Sequence, residues 1–339
     1  MKPLRILLSI LALMLLCGGL AIVFYLLQPL PVATTTDVFI PQNSSVRVAS
    51  ARIRSARIVR FPSLFQLSLR LAATLSGRPV YAGSYRFTPE NNHLDVYRSL
   101  LSGKQSLTVR VTFPEGITLW RFASILRQNI GIDSAEFIRL ASDDSVCRAF
   151  GVQQTSLEGY LMPDTYEFFW KQPEESVLQT VVNASNTIWQ ERFAAQASSK
   201  GKTRHEVLTL ASIVEAETPQ PDERARVAGV YQNRLNKGMK LDADPTVQFA
   251  LGGEARRLYY NDLDVNSPYN TYRNTGLPPG PINSPSVASI AAALEPETNT
   301  YIYFCAKGDG SNTHSFATTS ADHQLNVLRY RKNRTNAQK

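Results

Sequence analysis

Two carboxylates close the apolar run Leu208–Pro219, which reads L-T-L-A-S-I-V-E-A-E-T-P. Val207, Leu210, Ala211 and Val214 recur at helical spacing and predict a helix that buries one face. Pro219 cannot continue that helix, and it biases Thr218 toward extended backbone. Glu215 and Glu217 therefore fall in the last turn, where the negative end of the helix dipole disfavours an ionised carboxylate. Partly desolvated there, a glutamate acquires the raised pKa of a general acid. Two solvated glutamates at a frayed end are the plainer reading of this segment alone. Two residues apart on a helix, the side chains diverge by about 200°, so only one can face a cleft. Periodicity does not choose between them: with Val207 at the centre of the apolar face, they lie on opposite flanks.

Other chemistries find less support. A metal site drawn from Asp242, Asp244, His314 and His323 has no H-x-x-x-H or cysteine pair, so no metal and no cofactor are expected. No G-x-S-x-G elbow, Cys-His signature or phosphate-cradling G-x-x-x-x-G-K is present. Ser267–Pro285, S-P-Y-N-T-Y-R-N-T-G-L-P-P-G-P-I-N-S-P, carries five prolines and two glycines that stiffen its backbone. Tyr269 and Tyr272 offer ring faces there, and Asn270, Asn274, Asn283 and Ser284 offer neutral hydrogen-bonding groups. That mixture suits a sugar, whose rings show hydroxyl edges and apolar C–H faces; a purely structural proline-rich loop is the alternative. Ordinary glycosidases need two carboxylates. Glu215 and Glu217 diverge too far to form such a pair, which leaves a single-carboxylate mechanism as the simpler hypothesis.

The elements that must position these residues follow from the rest of the chain. Its 339 residues hold one large or two medium domains with ample core. A formal charge of +8 suits a carboxylate-rich partner or an anionic membrane surface, and no RNA-binding or finger signature points to nucleic acid. Cys17, Cys147 and Cys305 form no framework; Cys147–Cys305 is the one conceivable disulfide, and two buried free thiols are expected. Ile6–Leu27 runs uncharged after Lys2 and Arg5, long enough to cross a bilayer core of about 30 Å. A cleaved signal would have a shorter apolar region and an A-x-A site. With cations only on its N-terminal side, the N-terminus is expected in the cytoplasm and everything after the anchor outside it.

Gln28–Thr36 reads as a short stiff linker. Next come a strand at Val38–Ile40, a helix over Ser44–Ile53 from a serine cap, a helix over Ser63–Ala73, a strand at Tyr81–Phe87, a helix over Leu94–Leu101 and a strand at Leu107–Phe113. Arg47, Arg52, Arg54, Arg57 and Arg60 read as a solvated face. Glu115–Phe150 is mostly helical, with a capping box from Asp133 to Glu136. Leu157–Phe168, L-E-G-Y-L-M-P-D-T-Y-E-F, is an ordered loop. One long helix over Ser176–Ala197 follows, then the opening helix, a helix over Asp222–Lys237, a loop-rich section, and a strand within Tyr301–Ala306.

Several blocks then match in order. L-A-S-I-V-E-A-E-T, D-P-T-V-Q, Y-N-T-Y-R-N-T-G-L-P-P-G-P-I-N-S-P and T-H-S-F, with A-G-S-Y-R-F and L-E-G-Y-L-M-P-D-T-Y upstream, resemble the MltG-type (YceG-like) endolytic murein transglycosylases over nearly the whole chain. The resemblance implies an α+β protein: a single transmembrane helix (1–28) and linker (29–37), then a small LysM-like α/β subdomain (38–113). A helical connection (114–155) leads to a larger, mostly helical lysozyme-like catalytic domain with loop-rich and short-strand insertions (156–333). It implies that the second glutamate of the pair, Glu217, directly before Thr218, is catalytic and Glu215 structural. Asn270, Tyr272, Asn283, Ser284, Gln248 and His314 are the candidate substrate contacts. The implied activity is cleavage of the β-1,4 bond between N-acetylmuramic acid and N-acetylglucosamine in peptidoglycan without hydrolysis, giving 1,6-anhydromuramyl ends. The implied location is the cell inner membrane with a periplasmic catalytic domain, working on glycan strands beside peptidoglycan synthases. The rival readings are a membrane-tethered, non-catalytic peptidoglycan-binding protein and a hydrolase. The arginine face at 47–60 belongs to no pattern of the family.

Overall fold

The computed structural model describes residues 2–41, 43–103, 106–252 and 256–337; the side chains of residues 2–9, 11, 15, 336 and 337 lie outside the described set. Backbone contacts divide the chain into two compact units: residues 1–110, 130–132 and 167–173 in the smaller, and 111–129, 133–166 and 174–339 in the larger.

The chain opens with α1 (Lys2–Leu27). Among the described residues no helix is long and apolar enough to cross a membrane. The expected anchor at Ile6–Leu27 and its flanking Lys2 and Arg5 fall partly on side chains outside that set. The smaller unit continues with β1 (Thr36–Ile40), α2 (Val46–Ser55), α3 (Pro62–Ser76), β2 (Gly83–Phe87) and α4 (His93–Ser102). β1 and β2 pair antiparallel from Thr36↔Phe87 to Ile40↔Gly83. Their alternation turns Val38, Ile40, Tyr85 and Phe87 into a core completed by Ile53, Phe65, Leu69, Val96 and Leu100. The serine cap of α2 is Ser45, which accepts from Val48 N, one residue later than the sequence suggested. Asn92 and Asp95 form a capping box on α4, and Gly103 ends it in the left-handed region. Within the segment expected as a short stiff linker, Leu30 is buried and its N donates to Asn91 O at 2.9 Å.

Next come β3 (Thr108–Thr112), α5 (Leu119–Ile130), α6 (Ser134–Ala141), α7 (Asp144–Ala149) and β4 (Thr165–Phe169), with β3 and β4 pairing. The capping box expected at Asp133 is one-sided. Asp133 accepts from Ala135 N and Glu136 N, but its own N–H donates to Glu174, while Glu136 binds Arg139. The expected single helix over 176–197 is two, α8 (Glu174–Arg192) and α9 (Ala194–Ser199), broken at Phe193. The remaining elements are α10 (Arg204–Glu217), α11 (Pro221–Asn236), α12 (Asp244–Ala250), α13 (Val287–Leu294), β5 (Tyr303–Ala306), β6 (His314–Ala317) and α14 (Ser320–Ala337). Cys147 and Cys305 are both free; Cys147 is buried and Cys305 only partly so.

α10 is the centre of the larger unit, packed against α11, α12 and α13. Every residue from Val207 to Val214 is buried, so this helix is enclosed all round rather than on one face. Thr203 caps its start with Glu206 in a capping box, and Thr218 ends it in extended geometry (φ −140°, ψ 127°), as Pro219 requires.

Candidate active site

The two carboxylates at the end of α10 meet different surroundings. Glu215 accepts from Arg224 Nη2 at 3.1 Å on one oxygen. Its other oxygen accepts from Ser286 N at 2.9 Å and Ser286 Oγ at 2.5 Å. Arg224 also donates to Ser286 Oγ, which caps Ser289 N. Glu215 thus ties the starts of α11 and α13 to the end of α10, and both of its oxygens are used.

Glu217 is engaged on one oxygen: Tyr231 Oη donates to Oε1 at 2.5 Å, and among the described residues Oε2 accepts no hydrogen bond. The residue keeps part of its surface open although protein surrounds the carboxyl closely. Its pKa is pushed up to about 7, chiefly by that burial and with the nearby charge of Asp244 adding to it, while the Tyr231 hydrogen bond and the charge of Arg234 oppose the rise. A carboxyl that titrates near neutrality, with one oxygen uncommitted, suits a group that must give and then take a proton.

Tyr231 had no signal of its own in the sequence, since it lies 14 residues beyond Glu217 on another helix. The nearest clue is Gly229 in the interior of α11, where a Cβ would meet Glu297 O at 2.4 Å and so marks close packing. Phe304 on β5 meets the Tyr231 ring edge-on at 5.8 Å. His314 on β6 packs edge-on against Phe304 and is fixed by Glu223, 2.8 Å from Nδ1. His314 therefore steadies the wall behind Tyr231. Among the described residues no cluster of His, Cys, Asp or Glu could hold a metal ion.

The sequence blocks do converge. Thr246 and Thr271, both buried, share a hydrogen bond of 2.8 Å, and Tyr272 Oη donates to Asp244 at 2.6 Å, joining D-P-T-V-Q to Y-N-T-Y. Asn270 is fully buried. Its amide donates to Leu263 O and Val265 O, and its oxygen accepts from Tyr272 N, so it builds the turn and cannot reach a ligand. Asn283 and Ser284 are buried as well: Asn283 donates to Ser212 O, and Ser284 pairs through its backbone with Ile117. Ser212 Oγ accepts from Ile282 N, so the serine of L-A-S-I holds the P-I-N-S strip against α10. Tyr272 and Gln248 keep exposed surface, Gln248 with its amide on Arg256 O.

Glu158, passed over inside the L-E-G-Y loop, is the second carboxyl that burial pushes up to about 7. It is 8% exposed and accepts from Leu119 N on both oxygens, at 3.1 and 3.0 Å. Beside it, Gly159 (φ +77°) has no room for a side chain, because a Cβ would meet Pro281 at 2.2 Å. Tyr160 Oη and Pro279 O bracket the His205 ring at 2.8 and 2.7 Å, fixing the proline strip a second time.

Residues 38–329 match the model of the YceG-like family. The chain belongs to that family. Curated relatives include the endolytic murein transglycosylase of Bacillus subtilis, 30% identical over 294 residues that cover 82% of this chain and 80% of that protein. That of Streptococcus pneumoniae (strain D39) is 27% identical over 323 residues, 86% of this chain and 58% of the relative. A crystal structure of a YceG-like protein from Listeria monocytogenes superposes with a TM-score of 0.60 at 29% identity, covering 86% of this chain and 98% of that one. Family membership thus agrees with the resemblance drawn from the ordered blocks.

Proposed function

We propose that this chain is an endolytic lytic transglycosylase that cleaves the β-1,4 bond between N-acetylmuramic acid and N-acetylglucosamine in peptidoglycan, with Glu217 as its single acid and base. The observation that carries the mechanism is the contrast at the end of α10: Glu215 has both oxygens consumed, whereas Glu217 has one held by Tyr231 and one free. Protonated Glu217 donates to the glycosidic oxygen as the bond from muramyl C1 breaks. The carboxylate then takes the proton of the muramyl C6 hydroxyl, whose oxygen closes on C1 to give the 1,6-anhydro end. The acid is restored, no water is consumed, and no second carboxylate takes part. Such acid–base help is worth about 10²–10⁴-fold in rate.

Tyr272 and Gln248 are the substrate contacts of this reading, because they keep part of their surface open whereas Asn270, Asn283 and Ser284 are buried. The uncharged run Ile6–Leu27 anchors the chain in the inner membrane, N-terminus in the cytoplasm and catalytic unit in the periplasm. Cleavage then falls where new strands emerge, beside the synthases that make them. The test is product analysis on isolated glycan strands: anhydro ends, lighter by one water than reducing ends, support the lyase. Reducing ends would mean a hydrolase, and binding without release a non-catalytic tether.

A further inference from the structure

α3 is apolar on two sides. Phe65 and Leu69 point into the core of the smaller unit, while Leu64, Leu67, Leu71 and Leu75 recur along a second face and stay exposed, Leu67 at 67% and Leu75 at 79%. A stripe of that kind on a soluble helix needs a partner. It borders a groove of about 800 Å³ that Leu64, Leu67 and Leu71 share with Ile22, Tyr25 and Leu26 of α1.

We propose that this face is seated in the outer interface of an anionic lipid bilayer, so that the small unit lies on the membrane beside its own anchor. The inference rests on the reading of α1 as that anchor. If Ile6–Leu27 fills the bilayer, the last turns of α1 lie near its outer boundary, and the α3 leucines that share their groove lie at the same depth. The end of α1 is not a free hinge. Gln28 O lies 3.1 Å from His93 Nδ1, Leu30 N donates to Asn91 O, and the Tyr25 ring lies 4.4 Å from that of His93. Tyr25 is the residue type that settles at a membrane boundary.

Charge identifies the kind of surface. The chain's positive charge is concentrated rather than spread: residues 36–110 carry eleven Lys and Arg against three Asp and Glu. Arg70, Arg78 and Arg98, all exposed, lie on α3 or along the groove. Exposed leucines flanked by arginines match acyl chains beneath anionic headgroups. A glycan strand would instead call for hydroxyl and amide partners, and the groove's Ser68 and Ser76 hydroxyls already donate to Leu64 O and Ala72 O within α3.

The test uses the full chain with Cys17→Ser, Cys305→Ser and Leu67→Cys carrying an environment-sensitive fluorophore, reconstituted in phosphatidylethanolamine–phosphatidylglycerol vesicles. The proposal expects blue-shifted emission that doxyl-labelled lipid largely quenches. Adding Leu64→Glu and Leu71→Glu should return the probe to water while the chain stays resistant to alkaline carbonate extraction. A water-exposed, unquenched probe on a carbonate-resistant chain overturns the docking and leaves the anchor standing. Release by carbonate overturns the anchor itself, and the docking with it. Shielding that doxyl-labelled lipid does not quench, or that appears only when glycan strands are added, assigns the face to another occupant and also overturns the proposal.

Discussion

The pockets of Glu158 and Glu217 hold carboxyls that burial drives to the same pKa, about 7, yet they are built for opposite ends. Glu158 sits at the start of α5, with both oxygens on Leu119 N, where the positive end of a helix dipole steadies a charge. Glu217 sits at the last turn of α10, where the dipole has the other sign, with one oxygen on Tyr231 and the other uncommitted. A raised pKa therefore does not by itself mark the catalyst. An oxygen left free for a substrate, on a residue that keeps some open surface, separates the two.

The largest expected effect breaks the comparison outright. Glu217→Gln, nearly isosteric, should abolish release of anhydro-ended fragments, a loss of at least about 10²–10⁴-fold. Glu158→Gln, whose amide oxygen can still accept from Leu119 N, should keep turnover within about tenfold of wild type and lose on the order of 1 kcal/mol of stability. Exchanged outcomes in a glycan-strand digestion assay would assign the catalysis to the wrong pocket.

Glu215→Gln should act on stability rather than chemistry. It leaves Arg224, itself buried, without its buried counter-charge at 3.1 Å, and Glu115 at 3.5 Å, largely exposed, offers only partial replacement. Breaking a buried pair costs up to about 3–5 kcal/mol, so thermal melts should show a clear loss while protein that remains folded keeps most of its activity.

Proton linkage gives the next effect. Glu217 must be protonated to act, so turnover should fall as pH rises through about 7. Its folded pKa lies above the ordinary 4.5, so the native state binds the proton more tightly and loses stability as pH rises from 4.5 to 7. Glu217→Gln should then be more stable than wild type at pH 8 by on the order of 3 kcal/mol, with the gain gone near pH 4. Denaturant titrations at the two pH values measure it. The smallest effect is that of Tyr231→Phe. The tyrosine hydrogen bond favours the carboxylate, so its removal should move the alkaline limb of the pH–rate profile upward. An unmoved limb would show that Tyr231 does not tune the acid.

What was legible in the sequence was mostly local. Pro219 predicted the end of α10 and the extended Thr218, and the alternation at Tyr81–Phe87 predicted β2, because backbone restriction and side-chain period act over a few residues. The ordered blocks also met in space, Thr246 with Thr271 and Asp244 with Tyr272. What was missed depended on distant partners. α13 and α14 received no assignment, although α13 is buried between the helices that carry Glu215 and Arg224. Asn270 and Asn283 looked like sugar ligands because a free amide and a turn-building amide have the same composition; only burial tells them apart. Tyr231 and Glu158 escaped for the same reason, since neither the contact 14 residues away nor the one 39 residues away leaves a spacing to read.

Digestion of isolated glycan strands in heavy-oxygen water, followed by mass spectrometry of the ends, tests the central claim most directly. Intramolecular closure steered by Glu217 alone predicts 1,6-anhydro ends that carry no label, and none from Glu217→Gln. Reducing ends carrying heavy oxygen, or unlabelled anhydro ends still formed by Glu217→Gln, would contradict it.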